Sequence, residues 1–239
     1  MLFVALSWIY MLVLAYIYGA FILNIVTRKK QNIVYQIRYL DSYLWAGTVF
    51  FTVYGLLYSF IGGLGLTANV ILSCGAFLIL LLDRKNLWCR LRMGLESIGI
   101  AKKMTLLICF LVVAYFSSRG YEHFDTLLYH GQTIHWLEEY GTVIGLGNAY
   151  ERYAYNSTAF VLTALFSFSY LAGQSLHTCA GFLVLLLVAT VVIGWEPVWK
   201  RRIRTSDLIR IMSSNSALGT SITPYSSSTN LVVPSFGLF

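Results

Sequence analysis

Four stretches of this chain contain no Asp, Glu, Lys or Arg: Met1–Thr27, Ser42–Leu82, Met104–Ser118 and Tyr153–Trp195. Such runs leave few folding options. A hydrocarbon core about 30 Å thick is crossed by roughly 20 apolar residues as helix, because only internal pairing satisfies backbone N–H and C=O groups away from water. The second and fourth runs are long enough for two such segments each. Gly62, Gly63 and Gly65 break the second run, and Gly173-Gln174 breaks the fourth. The sequence therefore predicts an all-α, polytopic membrane protein with about six spans, near 2–26, 43–61, 65–82, 99–118, 155–171 and 176–195. The fifth is short, and the fourth needs the snorkelling stems of Lys102 and Lys103 at its end. Composition agrees, with 58% hydrophobic and 11% charged residues and a mean hydropathy of +0.69, where soluble domains carry about 25% charge. Nothing basic precedes the first run, and it exceeds the roughly 7–15 apolar residues of a signal peptide, so it reads as a retained helix.

The basic residues set the orientation. Arg28, Lys29, Lys30 and Arg38 fill the first connection, and Arg84, Lys85, Arg90, Arg92, Lys102 and Lys103 fill the third. The positive-inside rule puts both in the cytoplasm, which accounts for the net charge of +7 without a nucleic-acid partner. The third connection mixes these bases with Leu87, Trp88, Leu91 and Leu95 and is expected along the inner surface. The loop at 119–155 then falls outside. One conflict remains: six crossings would also put Lys200–Arg204 outside, against the charge rule. Either the run over 155–195 does not cross twice, or 198–212 is a basic helix on the outer face. Cys74, Cys89, Cys109 and Cys179 lie in or near spans without C-x-x-C spacing, and read as small core residues.

On these grounds the chain divides into membrane helices at 1–118 (about four spans), an extracytoplasmic loop with a surface helix at 119–155, and a helical hairpin at 156–195. A basic juxtamembrane segment at 196–212 and a Ser/Thr-rich, disordered tail at 213–239 follow. The tail has no charged residue and eight serines in 27 positions. It is read as the product of truncation or a frame shift near Ser213, or else as a natural disordered tail.

The loop carries the chemistry. In "YEHFDTLLYHGQTIHWLEEYG", Tyr121–Gly141, a helix is expected over 124–140. Leu127, Ile134 and Leu137 share one face with His130, while Asp125, Tyr129, Gln132 and Trp136 follow at i, i+4, i+7 and i+11 on another. Gly141 reads as the helix stop. A carboxylate, a phenol, an amide and an indole on one face suit a sugar, whose apolar faces stack on aromatic planes while its hydroxyls meet polar groups. Asp125 equally suits an N-cap, His130 a hydrogen-bonded helix residue, and Trp136 an interfacial aromatic. Glu138 and Glu139 are expected to be solvated. No H-x-x-x-H or H-E-x-x-H pair is present, so no metal site is assigned, and no cofactor; a divalent cation is allowed but not indicated. Arg152 suits a phosphate or pyrophosphate, or an ordinary salt bridge. Asn156-Ser157-Thr158 stands where a helix begins and is expected to cap it.

The stretch "FDTLLYHGQTIHWLEEYGTVIGLGNAYERYAYNSTAF", Phe124–Phe160, resembles a motif of large bacterial multi-pass proteins, of the form YD-x-x-x-YH-x-Q-x-x-x-W-x-x-EYG, then P-G-L-G-N, then a basic residue and F-N-S-x-W. Those proteins look like GT-C type glycosyltransferases, which use polyprenyl-phosphate sugars. The resemblance implies a bacterial inner-membrane enzyme with Asp125 as the general base, or an electrostatic partner, for an acceptor hydroxyl. Tyr129, His130 and Gln132 would orient substrate, Arg152 would face the lipid phosphate, and Trp136 and Asn156 would join the substrate-binding set. Its partners would be the lipid bilayer and a polyprenyl-phosphate-linked sugar. Ile144 stands where the group often has proline and Ala159 where it has tryptophan, and the chain carries fewer spans than GT-C proteins. The alternative is a non-catalytic transporter, flippase or assembly subunit of an envelope polysaccharide system.

Overall fold

A computed structural model of the chain describes residues 1–28, 40–119, 129–154, 157–173 and 175–194. Its regular elements are helices: α1 Leu2–Arg28, α2 Leu40–Ser59, α3 Leu66–Glu96, α4 Ile100–Ser117, α5 Gly131–Glu139, α6 Leu146–Ala149, α7 Thr158–Leu165, α8 Ser169–Ala172 and α9 Cys179–Gly194, with a 3₁₀ turn at Glu151–Ala154. Three of them are long and apolar enough to cross a membrane: Leu2–Val26, Leu66–Glu96 and Ile100–Ser117. Their outward faces remain apolar, with Leu6, Val13, Leu81, Leu82 and Ile108 among the exposed residues. The expected membrane character rests on these helices. The segments assigned at 29–39, 120–128 and 195–239 lie outside the described residues.

α1 and α2 pack closest, through Gly19 and Gly47. The core they share with α7 and α9 has large aromatics at its centre, with Trp8, Phe51, Phe166 and Phe182 fully buried. Tyrosine hydroxyls serve buried carbonyls on α3: Tyr18 donates to Leu72 and Tyr16 to Leu87, each at 2.7 Å. α3 bends at Asp83 (φ −125°, ψ 19°), where the charge-free run ends. Beyond the bend, the segment expected along the inner surface continues α3, with Leu87 buried and Arg90 donating to Ala20 O and Asn24 Oδ1.

The bundle has two chemically distinct ends. One holds the turn at 60–65, α5 and α6; the other holds Leu40, Trp45, Arg90 and Lys102. α9 runs between them. Trp8 donates its indole N–H to Thr178 O at 3.1 Å at the first end. Trp45 donates to Thr190 Oγ1 at 2.8 Å, and Lys102 reaches Ile193 O at 3.5 Å, at the second.

The helix expected over 155–171 takes a different form. α7 has eight residues, about 12 Å of helix at 1.5 Å per residue. The chain breaks at Phe166–Phe168, where Phe168 is left-handed (φ 52°). Phe166 inserts among Phe51 and Tyr10 at ring distances of 5.1 and 6.3 Å. The break is possible because its freed polar groups are paired inside the protein: Asn69 Nδ2 donates to Leu165 O at 2.7 Å, and Leu176 N to Ser167 O at 2.7 Å. The segment enters the bundle and leaves at the end it came from.

Candidate functional site

Of the helix expected over 124–140, α5 forms Gly131–Glu139 after a wider, π-type turn at Tyr129-His130, and 124–128 lie outside the described residues. Thr133, Ile134, Leu137 and Glu138 face inward, whereas Gln132, His135 and Glu139 are exposed. Its C-terminus rests on the turn between α2 and α3. Leu64 N donates to Leu137 O at 2.9 Å, and Thr142 N to Ser59 O at 2.7 Å. The Ser59 and Thr142 hydroxyls bond at 2.8 Å. Gly141 stops the helix as expected, at φ 73°, a conformation that favours glycine. Gly145, at φ 87°, turns the chain into α6.

Tyr129, His130 and Arg152 are brought together. The Arg152 guanidinium lies 5.6 Å from the centre of the Tyr129 ring, within cation–π range. The His130 ring meets Tyr129 edge-on at 4.2 Å and Phe160 at 4.9 Å. Trp136 leans on Tyr140 at 5.2 Å and lines a cavity of about 260 Å³ with Thr133, Leu137, Gly145, Tyr153 and Phe160. Gln132 is exposed and does not line that cavity. Asp125 and Asn156 lie outside the described residues. The cap of α7 is Ser157, whose hydroxyl accepts from Ala159 N at 3.3 Å. Among the described residues, no three His, Cys, Asp or Glu come together as metal ligands.

One residue differs from its expected setting. Glu138, expected to be solvated, is 6% exposed. Its Oε2 accepts from Ser175 at 2.8 Å, and Oε1 has no hydrogen-bond partner among the described residues. The cause is its position, i+4 from Ile134, on the stripe that faces the protein; helical spacing outweighed residue type. His135 stands 3.7 Å from Glu138 and 3.5 Å from Glu139. His177 lies in the segment between α8 and α9. It is half-buried and lies near His130. Ser175 and His177 thus tie the segment before α9 to α5 and its preceding turn.

Tyr153, Phe160 and Thr133 are cavity residues that spacing arguments did not find. Tyr153 comes from the 3₁₀ turn and Phe160 from α7, so only the tertiary fold adds them to the Trp136 face. The glycines at 141, 145 and 147 were the available signal, since a run of glycines next to aromatics lets the backbone turn tightly around a small space.

Neither a curated protein nor a solved structure matches this chain. The profile of the family described as a domain of unknown function (DUF8201) matches residues 1–238, and the chain belongs to that family.

Proposed function

We propose that this chain is a GT-C-like integral-membrane glycosyltransferase, or the N-terminal part of one, moving a sugar from a polyprenyl-phosphate donor to an envelope glycan or lipid acceptor. The observation that carries the reading is the cavity walled by Trp136 and Tyr153 beside the Tyr129–Arg152 pair, at one end of an apolar helical bundle. Aromatic faces suit a pyranose, and a guanidinium suits a phosphate. In this reading Asp125 takes the proton of the acceptor hydroxyl. The acceptor oxygen then bonds to the anomeric carbon, and the bond to the polyprenyl phosphate breaks with the electron pair on the leaving oxygen. Asp125→Asn is expected to lower transfer from a polyprenyl-phosphate sugar by about 10²–10⁴-fold in membranes holding the intact protein. Turnover within a few-fold of wild type would remove Asp125 from the mechanism.

The same reading places α5 and α6 outside the inner membrane and the basic end in the cytoplasm. It counts five crossings, α1, α2, α3, α4 and α9, with α7–α8 as a re-entrant segment. What supports this is the eight-residue length of α7 and the course of α9 from Trp8 to Lys102. Non-helical backbone at membrane depth is tolerated where protein buries it, and Ser167 is 1% exposed. Five crossings start the chain after Gly194 on the side of the two basic connections, which removes the conflict over Lys200–Arg204. In intact cells an impermeant thiol reagent should label Ile144→Cys but neither Ser97→Cys nor Thr205→Cys. Six crossings predict that Thr205→Cys is labelled from outside.

A further inference from the structure

At the basic end, α1, α2 and the bent α3 enclose a groove of about 430 Å³. Val13 and Tyr16 of α1, Leu44 of α2, and Leu80 and Leu87 of α3 form its walls. They are apolar apart from the Tyr16 hydroxyl, which is occupied in donating to Leu87 O. The volume is within the roughly 300–1,000 Å³ of small-molecule sites.

Two side chains of a different kind complete the lining, Arg84 and Trp88, both exposed, Trp88 by 67%. Both follow the bend at Asp83 in α3. The neighbouring cations are already committed: Arg90 to Ala20 O and Asn24, Arg92 to Glu96 at 2.7 Å. Arg84 and Lys85 have no hydrogen bond or ion pair among the described residues. Asp83, the acid beside Arg84 in the chain, accepts from Asn86 and does not line the groove, and neither does the buried Asp41 of α2. An apolar slot thus opens beside an unpaired guanidinium and an interfacial indole, on the most basic side of the molecule.

We propose that this groove seats an acyl chain of an anionic phospholipid, with Arg84, backed by Lys85, holding the phosphodiester and Trp88 at the head-group level. Guanidinium binds phosphate through paired N–H donors, tryptophan favours the membrane interface, and basic clusters at membrane surfaces select acidic lipids. A zwitterionic lipid would fill the same slot but bring its own cation to Arg84.

The test is native mass spectrometry of the full chain in detergent, titrated with phosphatidylglycerol or with phosphatidylcholine of the same acyl chains. Wild type is expected to bind phosphatidylglycerol about tenfold more tightly, the scale of one charge-assisted contact. Arg84→Gln should bring the ratio close to one while leaving phosphatidylcholine binding unchanged. Val13→Trp, which fills the groove wall, should weaken both. Equal binding of the two lipids by wild type overturns the proposal, as does a preference that survives in Arg84→Gln. Absence of any lipid binding also overturns it. Arg84 is exposed, so its replacement tests the idea without endangering the fold.

Discussion

Replacing Gly47 with valine is expected to drive α1 and α2 apart and to lower the thermal midpoint of the purified protein by at least 6–12 °C. A Cβ placed on Gly47 would overlap the backbone of Ala15, and one placed on Gly19 would overlap the carbonyl of Tyr43. Both obstacles are backbone atoms, so no rotamer change relieves them. Overpacking usually costs about 1–3 kcal/mol because side chains can yield; here the helices themselves must move. About 3 kcal/mol corresponds to roughly 6–12 °C for a chain of this size. In a membrane the consequence is sharper, since close backbone approach through small residues is a main source of helix association there. Circular dichroism melting in detergent reads the effect. Gly99→Ala is the control, because nothing lies within 4 Å of the position its Cβ would take. A Gly47→Val protein melting within 2 °C of wild type would mean that the Gly19–Gly47 crossing is looser than the structure has it.

The helical, membrane-type architecture is legible in the sequence because lipid imposes it. Backbone groups left unpaired in hydrocarbon are so costly that a charge-free run must be helical or be wrapped by other protein. The choice between those two outcomes is not local. The run beginning at Tyr153 looks like two spans, yet its first helix ends at Leu165, whose carbonyl accepts from Asn69, 96 residues earlier. No window of sequence around Leu165 contains that donor. The turn at Gly62–Gly65 and the stop at Gly141 were readable, since glycine has a specific backbone meaning at each. Glu138 was misread by type, though its spacing from Ile134 placed it on the buried face. At the site, Trp136 lines the cavity while Gln132 turns to solvent. The approach of Arg152 to Tyr129 is a tertiary event across the glycine-rich turn. The acid that anchors the catalytic reading, Asp125, rests on the sequence alone.

The second large effect concerns how α5 is held. Gly62 and Gly63 are adjacent, yet their replacements should behave in opposite ways. A Cβ on Gly63 would overlap the carbonyl oxygens of Glu138 and Glu139, whereas nothing lies within 4 Å of one on Gly62. Gly63→Ala must therefore lift the C-terminus of α5 off the turn. That loosens the bonds from Leu64 N to Leu137 O and from Thr142 N to Ser59 O, and leaves the Glu138 carboxylate in a disturbed pocket. Losing two buried backbone hydrogen bonds costs about 1–3 kcal/mol at each orphaned group. The bundle has its own core and should stay folded. Cleavage by trypsin at Arg152 follows the population of the open form when opening is fast, so Gly63→Ala should speed it by more than tenfold while far-ultraviolet dichroism changes little. Gly62→Ala should leave the rate unchanged. Equal rates for the two variants would show that α5 does not depend on the turn for its position. If Gly63→Ala opens the loop as expected, it should also abolish any activity that needs Trp136 and Tyr129 to be held together, without touching either residue.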